Sequence, residues 1–255
     1  MMDFSNSFAE RLNQLIDTAL EAENTSSAKR NYLGGSRLGV ACSRALQHEY
    51  LRTPKDDGRG FKGKQLRIFA AGHLFEDLAI DWLRKAGFDL YTKKPDGWQF
   101  GFSVAGGRIR GHVDGIINSA PSELGLTFPM LWECKSMNGA SWRDTAKRGL
   151  QLSKPVYAAQ VATYQAYMED TIEGICRNPA LFTAVNKDTA ELYHELVPFD
   201  GRLAQDTSDK AVRILNASEA GEWLPRIAKE RSHFECKMCS WQDQCWDARA
   251  AGGNA

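Results

Sequence analysis

An excess of either charge is missing from this chain: 32 Lys and Arg stand against 32 Asp and Glu, a formal net charge of zero over 255 residues. That balance excludes a global pull toward nucleic acid or an anionic membrane, so a nucleic-acid site has to be a local basic patch. No apolar run is long enough to cross a bilayer. The opening residues carry Asp3, Glu10, Asp17, Glu21 and Glu23, the wrong composition for a signal peptide. The expectation is an intracellular, cytoplasmic protein with no membrane partner. Internal repeats and low-complexity tracts are also missing. Cysteine is sparse, six in all, but three of the six (Cys236, Cys239 and Cys245) crowd one end. In a reducing compartment such clustering favours metal binding or redox chemistry over disulfides. At 28.4 kDa the chain is long enough to bury a real core, as one large domain or one domain with a small appendage.

Periodicity sketches the elements. Phe4, Phe8, Leu12, Leu15, Ile16 and Leu20 predict a helix over 4–22, and residues 23–27 look like a connector. Ser36 is a credible N-cap for a short helix bearing Cys42. Residues 52–67, with Lys55, Arg59, Lys62 and Lys64 among glycines, predict a mobile basic loop. A long helix is predicted over 65–86, closed by Gly87. Two strands, 98–104 and 108–117, are joined by Gly106-Gly107, a hairpin signal. A third strand is predicted at 130–135, a helix at 156–168, strands at 180–185 and 192–198, and a helix at 202–220. The fold class is α/β, with a central mixed sheet flanked by helices.

The middle of the chain carries the chemistry. Period two along 130–135 puts Glu133 and Lys135 on one face and turns Cys134 to the other. With Asp114 on the neighbouring strand, this set suits a hard divalent cation, Mg²⁺ or Mn²⁺, which could also take the backbone carbonyl of Cys134. Lys135 would sit beside the water that attacks, and the cation would stabilise charge on a phosphate. Read alone, the same residues also fit a turn aspartate and a same-face surface ion pair.

Asp114, Glu133 and Lys135 resemble the core of the PD-(D/E)XK nuclease superfamily, without the proline of its name. More narrowly, Gln160 and Tyr164, four apart on the 156–168 helix, resemble the Gln-x-x-x-Tyr helix of the RecB-like exonuclease branch. Alone they fit an ordinary amphipathic helix. The stretch around His73, Ala71-Gly72-His73-Leu74-Phe75-Glu76-Asp77-Leu78, is similar to that branch's first motif, in which a helical His is a metal ligand. Glu76, one turn on, can bind metal directly or through water. The resemblance implies catalytic roles for Asp114, Glu133, Lys135, Gln160 and Tyr164, and a metal site of His73, Asp114, Glu133 and the Cys134 carbonyl.

Cys236-x-x-Cys239 and Cys245 give three thiolates in one short loop. Residues 37–44 resemble the segment that carries the distant ligand in iron–sulfur members of the branch, the AddB-type and CRISPR-associated RecB-like nucleases. The resemblance thus implies a [4Fe–4S] cluster on Cys42, Cys236, Cys239 and Cys245. Chemically, four thiolates equally make a closed Zn²⁺ site, though the lone-plus-three layout fits the cluster better. The division expected is an N-terminal helix and connector over 1–35, a cysteine region formed by 36–64 with 221–255, and a nuclease core over 65–220.

Between Lys135 and Gln160 runs a polar, basic segment in which Arg143, Lys147 and Arg148 could clamp phosphates while Trp142 stacks on a base. Lys62 and Lys64 could form the opposite wall. The function expected is metal-dependent exonucleolytic hydrolysis of DNA ends or single strands, in recombination, repair, phage DNA processing or CRISPR-linked processing. Helicase motifs are missing, so unwinding would need a separate helicase, with a recombinase or integrase as other partner classes. Two alternatives stand beside it: a catalytically silent nucleic-acid-binding or assembly module, and a structure- or sequence-specific endonuclease.

Overall fold

The structure is a computed structural model that describes residues 7–247. The start of the predicted first helix, at Phe4, and the end of the 221–255 region lie outside the described residues. Helix α1 (Phe8–Ser26) opens on a reciprocal cap: Ser7 Oγ accepts from the Glu10 N–H, and Glu10 accepts from the Ser7 N–H. It runs through the residues expected to be a connector. The Thr25 and Ser26 hydroxyls donate back to the Glu21 and Glu23 carbonyls, so these polar residues are satisfied inside a helix. Strand β1 (Leu33–Gly34) and a 3₁₀ turn lead to α2 (Ser43–Tyr50). Ser36 lies in the 3₁₀ turn and does not cap α2; the N-cap is Cys42 itself, in extended backbone.

Helix α3 (Gly63–Lys85) is followed by β2 (Asp89–Tyr91), β3 (Gly101–Val104), β4 (Ile109–His112), β5 (Gly115–Ser119) and β6 (Met130–Met137). Two helices, α4 (Gly139–Ser153) and α5 (Pro155–Met168), then precede β7 (Ala180–Asn186), β8 (Leu192–Val197) and α6 (Gly201–Glu219). The short α7 (Phe234–Lys237) and α8 (Gln242–Trp246) carry the clustered cysteines.

The strands form two mixed sheets where one was expected. One has the order β2-β5-β6-β7-β8 and the other β1-β4-β3. The division falls inside the predicted 108–117 strand, which ends at His112 and resumes at Gly115 in the other sheet. Asp114 occupies the break, its carboxylate accepting the Cys134 N–H at 2.8 Å. Among the described residues the larger sheet has one parallel pair, β6 with β7, joined by the crossover through α4 and α5. The polar, basic residues 139–153 are helical. Asn138 caps this helix by accepting from Ser141 N–H, and Thr145 and Leu150 are buried along it. At Gly149, with φ +75°, α4 kinks, and Glu195 accepts the Leu150 N–H at 2.7 Å.

Alternation along β6 splits the core. Leu131 and Met137 pack with Val161, Tyr164 and Phe182 under α5, while Met130, Trp132 and Cys134 pack with Ala79 and Leu83 of α3. Helix α5 is buried on almost every side from Ala158 to Gln165. Among the described residues no helix is long and apolar enough to cross a membrane.

The expected mobile loop is tied down. Asp56 N–H donates to Ser240 O, and Asp56, 7% exposed, accepts from the Asp243 N–H at 2.6 Å and from the Gln244 N–H and side chain. Arg59 donates to Lys237 O and Gln242, and the Trp241 indole donates to Thr53 O. Replacing Asp56 with Ala strands these donors and should lower stability by about 1–3 kcal/mol, with Asp56→Asn recovering part. Denaturant unfolding measures the loss, and an unchanged Asp56→Ala midpoint contradicts it.

Candidate functional site

Glu133 stands at the centre of β6 with 0% exposure. Its Oε1 accepts from Lys135 Nζ and, at 2.6 Å, from the Gln160 amide across the space under α5. Its Oε2 and the Gln160 Oε1 are buried without hydrogen-bond partners. Lys135 Nζ also lies 4.0 Å from Asp114 Oδ2 and over the Tyr157 ring. The sequence-predicted Asp114, Glu133, Lys135 and Gln160 are therefore one constellation.

Its electrostatics follow from burial. Desolvation, and then the Asp114 charge, push Glu133 up to about 8, against the pull of Lys135. Glu76 is pushed up to about 7, again by burial and then Asp114. Burial works to lower Lys135, but the Glu133 and Asp114 carboxylates outweigh it and hold Lys135 above its usual range. Three carboxyl groups thus face one ammonium. An orphaned carboxylate oxygen and a surplus of acidic oxygens fit a hard divalent cation.

Helix α3 brings Glu76, not His73, against this set. The His73 side chain is 82% exposed and meets the constellation only through Glu76, at 3.9 Å. The sequence pointed to His73 first, although Glu76 lies one turn on, on the face that packs against β6. Tyr164 is buried and raised above its usual range, by burial and then the Glu133 charge. Its ring meets Phe102 edge-on at 5.3 Å. A Cβ on Gly35 would come within 2.6 Å of that ring and one on Gly111 within 3.0 Å. Both Gln160 and Tyr164 are buried, and the Gln160 amide reaches Glu133.

The predicted substrate contacts divide. Arg143, Lys147 and Arg148 lie exposed on α4, Arg148 pairing with Asp144 at 3.2 Å. Trp142 is turned inward, its indole N–H donating to Ala184 O at 3.0 Å, so its ring borders the core and is not free to stack on a base. Lys62 and Lys64 are exposed at the start of α3, where α1 supplies acid: Glu21 accepts the Gly63 N–H and Asp17 pairs with Arg67. Lys64 is twelve residues before Glu76, about 18 Å along the helix axis.

The four cysteines gather at a second place. Cys42, Cys236, Cys239 and Cys245 line one cavity of about 260 Å³ with His48, Trp241 and Trp246. Burial raises Cys42, with Cys245 adding to it; burial also raises Cys239, with Cys42, Cys245 and Cys236 adding. Trp241 and Trp246 serve as packing, the latter under the Arg226 guanidinium at 4.6 Å. Among the described residues, no group of three or more His, Cys, Asp or Glu side chains stands in metal-holding geometry at either place. Of the remaining cysteines, Cys134 is buried on β6 and Cys176 lies half-buried in a turn beyond α5, its N–H held by Glu169.

No family model and no curated protein matches this chain. Among solved structures, an alkaline exonuclease from Laribacter hongkongensis (LHK-Exo) in complex with dAMP is similar at 13% identity. The match covers 82% of this chain and 93% of that one, with a TM-score of 0.51. A second structure of LHK-Exo gives 15% identity over 80% and 93%, with a TM-score of 0.49. SSO0001 gives 17% over 92% and 96%, at 0.47. The fold is thus mixed α/β, two mixed sheets flanked by helices, similar to an exonuclease fold.

Both raised carboxyls keep a proton to higher pH in the folded chain than in the unfolded one, whose carboxyls titrate near 4.5. The folded state therefore binds more protons between about pH 4.5 and 8, and stability falls as pH rises through that window, by at most about 1.4 kcal/mol per pH unit for each retained proton. Melting curves without added divalent cations should show this decline, reduced in Glu133→Gln. A stability that rises toward pH 8 contradicts it.

Proposed function

We propose that this chain is a divalent-metal-dependent nuclease of the RecB-like exonuclease type that hydrolyses phosphodiester bonds at DNA ends or in single strands. The observation that carries the reading is the convergence of Asp114, Lys135 and Gln160 on a fully buried Glu133. Asp114, Glu133, Glu76 and the Cys134 carbonyl would hold Mg²⁺ or Mn²⁺, which when bound would supply Lewis-acid stabilisation of charge on the phosphate. His73 lies outside this set, beside Glu76 at 3.9 Å.

The chain's own residues do the rest. Lys135 is kept as an ammonium by two carboxylates, so it acts as a fixed positive charge that orients the attacking water and the phosphate; it does not act as a base. Gln160 holds Glu133 in its rotamer from α5, and Tyr164 wedges α5 against Gly35 and Gly111. Arg143, Lys147 and Arg148 give the exposed face of α4 three guanidinium or ammonium groups for the DNA backbone. The neutral overall charge makes such a local patch necessary.

For the cysteines we infer a [4Fe–4S] cluster in preference to Zn²⁺. Four thiols around one cavity, with Cys42 and Cys239 both made harder to ionise by neighbouring thiols, are a donor set that a thiophilic metal group relieves. Rotation of the cysteine side chains would complete the site. Its role is structural, joining α2 to the chain's last described segment.

The test is release of acid-soluble nucleotide from linear duplex and single-stranded DNA with Mg²⁺ or Mn²⁺. Asp114→Ala, Glu133→Ala and Lys135→Ala should each lose about 10²-fold or more while the absorption of the cysteine site is kept. Glu76→Gln should cost more than His73→Ala. Cleavage retained by Glu133→Ala, or none by the unaltered protein with any divalent ion, sinks the reading.

A further inference from the structure

His48 is the one buried side chain of the cysteine cavity whose polar atoms are unexplained. It is 3% exposed, and neither ring nitrogen has a hydrogen-bond partner. Its ring is held between two indoles, Trp223 at 4.4 Å and Trp241 at 5.7 Å, stacked on the latter with an interplanar angle of 8°. Gln47, its neighbour on α2, fixes the segment by donating to Glu222 O and accepting the Leu224 N–H at 2.9 Å. The imidazole thus meets two indole rings, one of them parallel to it. It lines the cavity together with Cys42, Cys236, Cys239 and Cys245.

A buried imidazole in either neutral tautomer has one N–H that must find an acceptor. If packing were its only task, Phe or Leu would fill the indole sandwich without stranding a donor. The cavity offers the four sulfurs beside the side-chain oxygens of Glu235, Ser240 and Gln242, and neither ring nitrogen bonds any of those oxygens. We propose that His48 donates its ring N–H to a sulfur of the metal group bound by the four cysteines, as a positioning residue that sets how readily that group is reduced and how firmly it is held. This rests on the reading of the cysteines as a metal site. A hydrogen bond to a metal-bound sulfur withdraws electron density from it, which raises the reduction potential of an iron–sulfur centre and protects the bond from exchange.

The full chain, purified anaerobically and reconstituted with ferrous iron and sulfide, is compared with His48→Phe, which keeps the aromatic sandwich but loses the donor, and with His48→Gln, which restores one. His48→Phe is expected to keep its iron and its circular dichroism, while its midpoint potential falls and iron passes to a chelator several-fold faster. His48→Gln should recover part of both. If the protein takes zinc instead, transfer of zinc to a chelator is the readout, with the same order of variants. If the Phe variant fails to fold, His48→Met replaces it in the same comparison. Unchanged potential and release rates overturn the inference. So does loss of the metal in His48→Phe but not in Cys42→Ser, which would make His48 a ligand. A wild-type chain that holds neither iron nor zinc overturns the underlying reading and this inference with it, whereas bound metal with an indifferent His48 overturns the inference alone.

Discussion

A carboxylate with no exposed surface in the middle of a central strand is the constraint around which the rest of the structure is arranged. Removing Glu133 from water costs free energy that only charge pairing and directed hydrogen bonds can offset. Lys135 supplies the charge from the same face of β6, and Gln160 the hydrogen bond from α5. Delivering Gln160 puts α5 in the middle of the molecule, which is why this helix is apolar or small on nearly every side. Chain elements crossing it must lack bulk: a Cβ on Gly39 would lie 2.6 Å from Val156 O, and Gly35 meets the Tyr164 ring.

The same crossing connects the two chemically loaded regions. The segment that passes α5 at Gly39 continues into Cys42, the N-cap of α2. Across from it, Asp56, Arg59 and Thr53 bind the backbone and side chains of residues 237–244. Early and late parts of the chain therefore meet around the cysteine cavity, and the acidic site is built between them. A metal group at the cysteines would reinforce a junction that hydrogen bonds already define.

Much of the acidic site could be read from the sequence because it depends on short-range periodicity. Alternation in Trp132-Glu133-Cys134-Lys135 correctly sends Cys134 to the α3 side of the sheet, with Trp132. Spacing of four puts Gln160 and Tyr164 on one face of α5, from which the Gln160 amide reaches Glu133. What misled was polarity. Residues 139–153 are polar and basic and no element is predicted for them, yet Asn138 caps them into a helix; Thr25 and Ser26 look like a connector, yet their hydroxyls are satisfied within α1. The single predicted strand over 108–117 hides the jump between sheets, because Ile109 and Ile116 are equally apolar and only the side-chain bond of Asp114 marks the break. Long-range geometry was out of reach: which of His73 and Glu76 faces Asp114 depends on how α3 packs on β6.

If a divalent cation balances the buried acidic cluster, Mn²⁺ titrated into the protein and into Glu133→Gln, with free Mn²⁺ read by electron paramagnetic resonance, separates the two. Mn²⁺ should bind the unaltered chain, be displaced by Mg²⁺, and bind the variant about tenfold or more weakly. Equal affinity in the two proteins would contradict it.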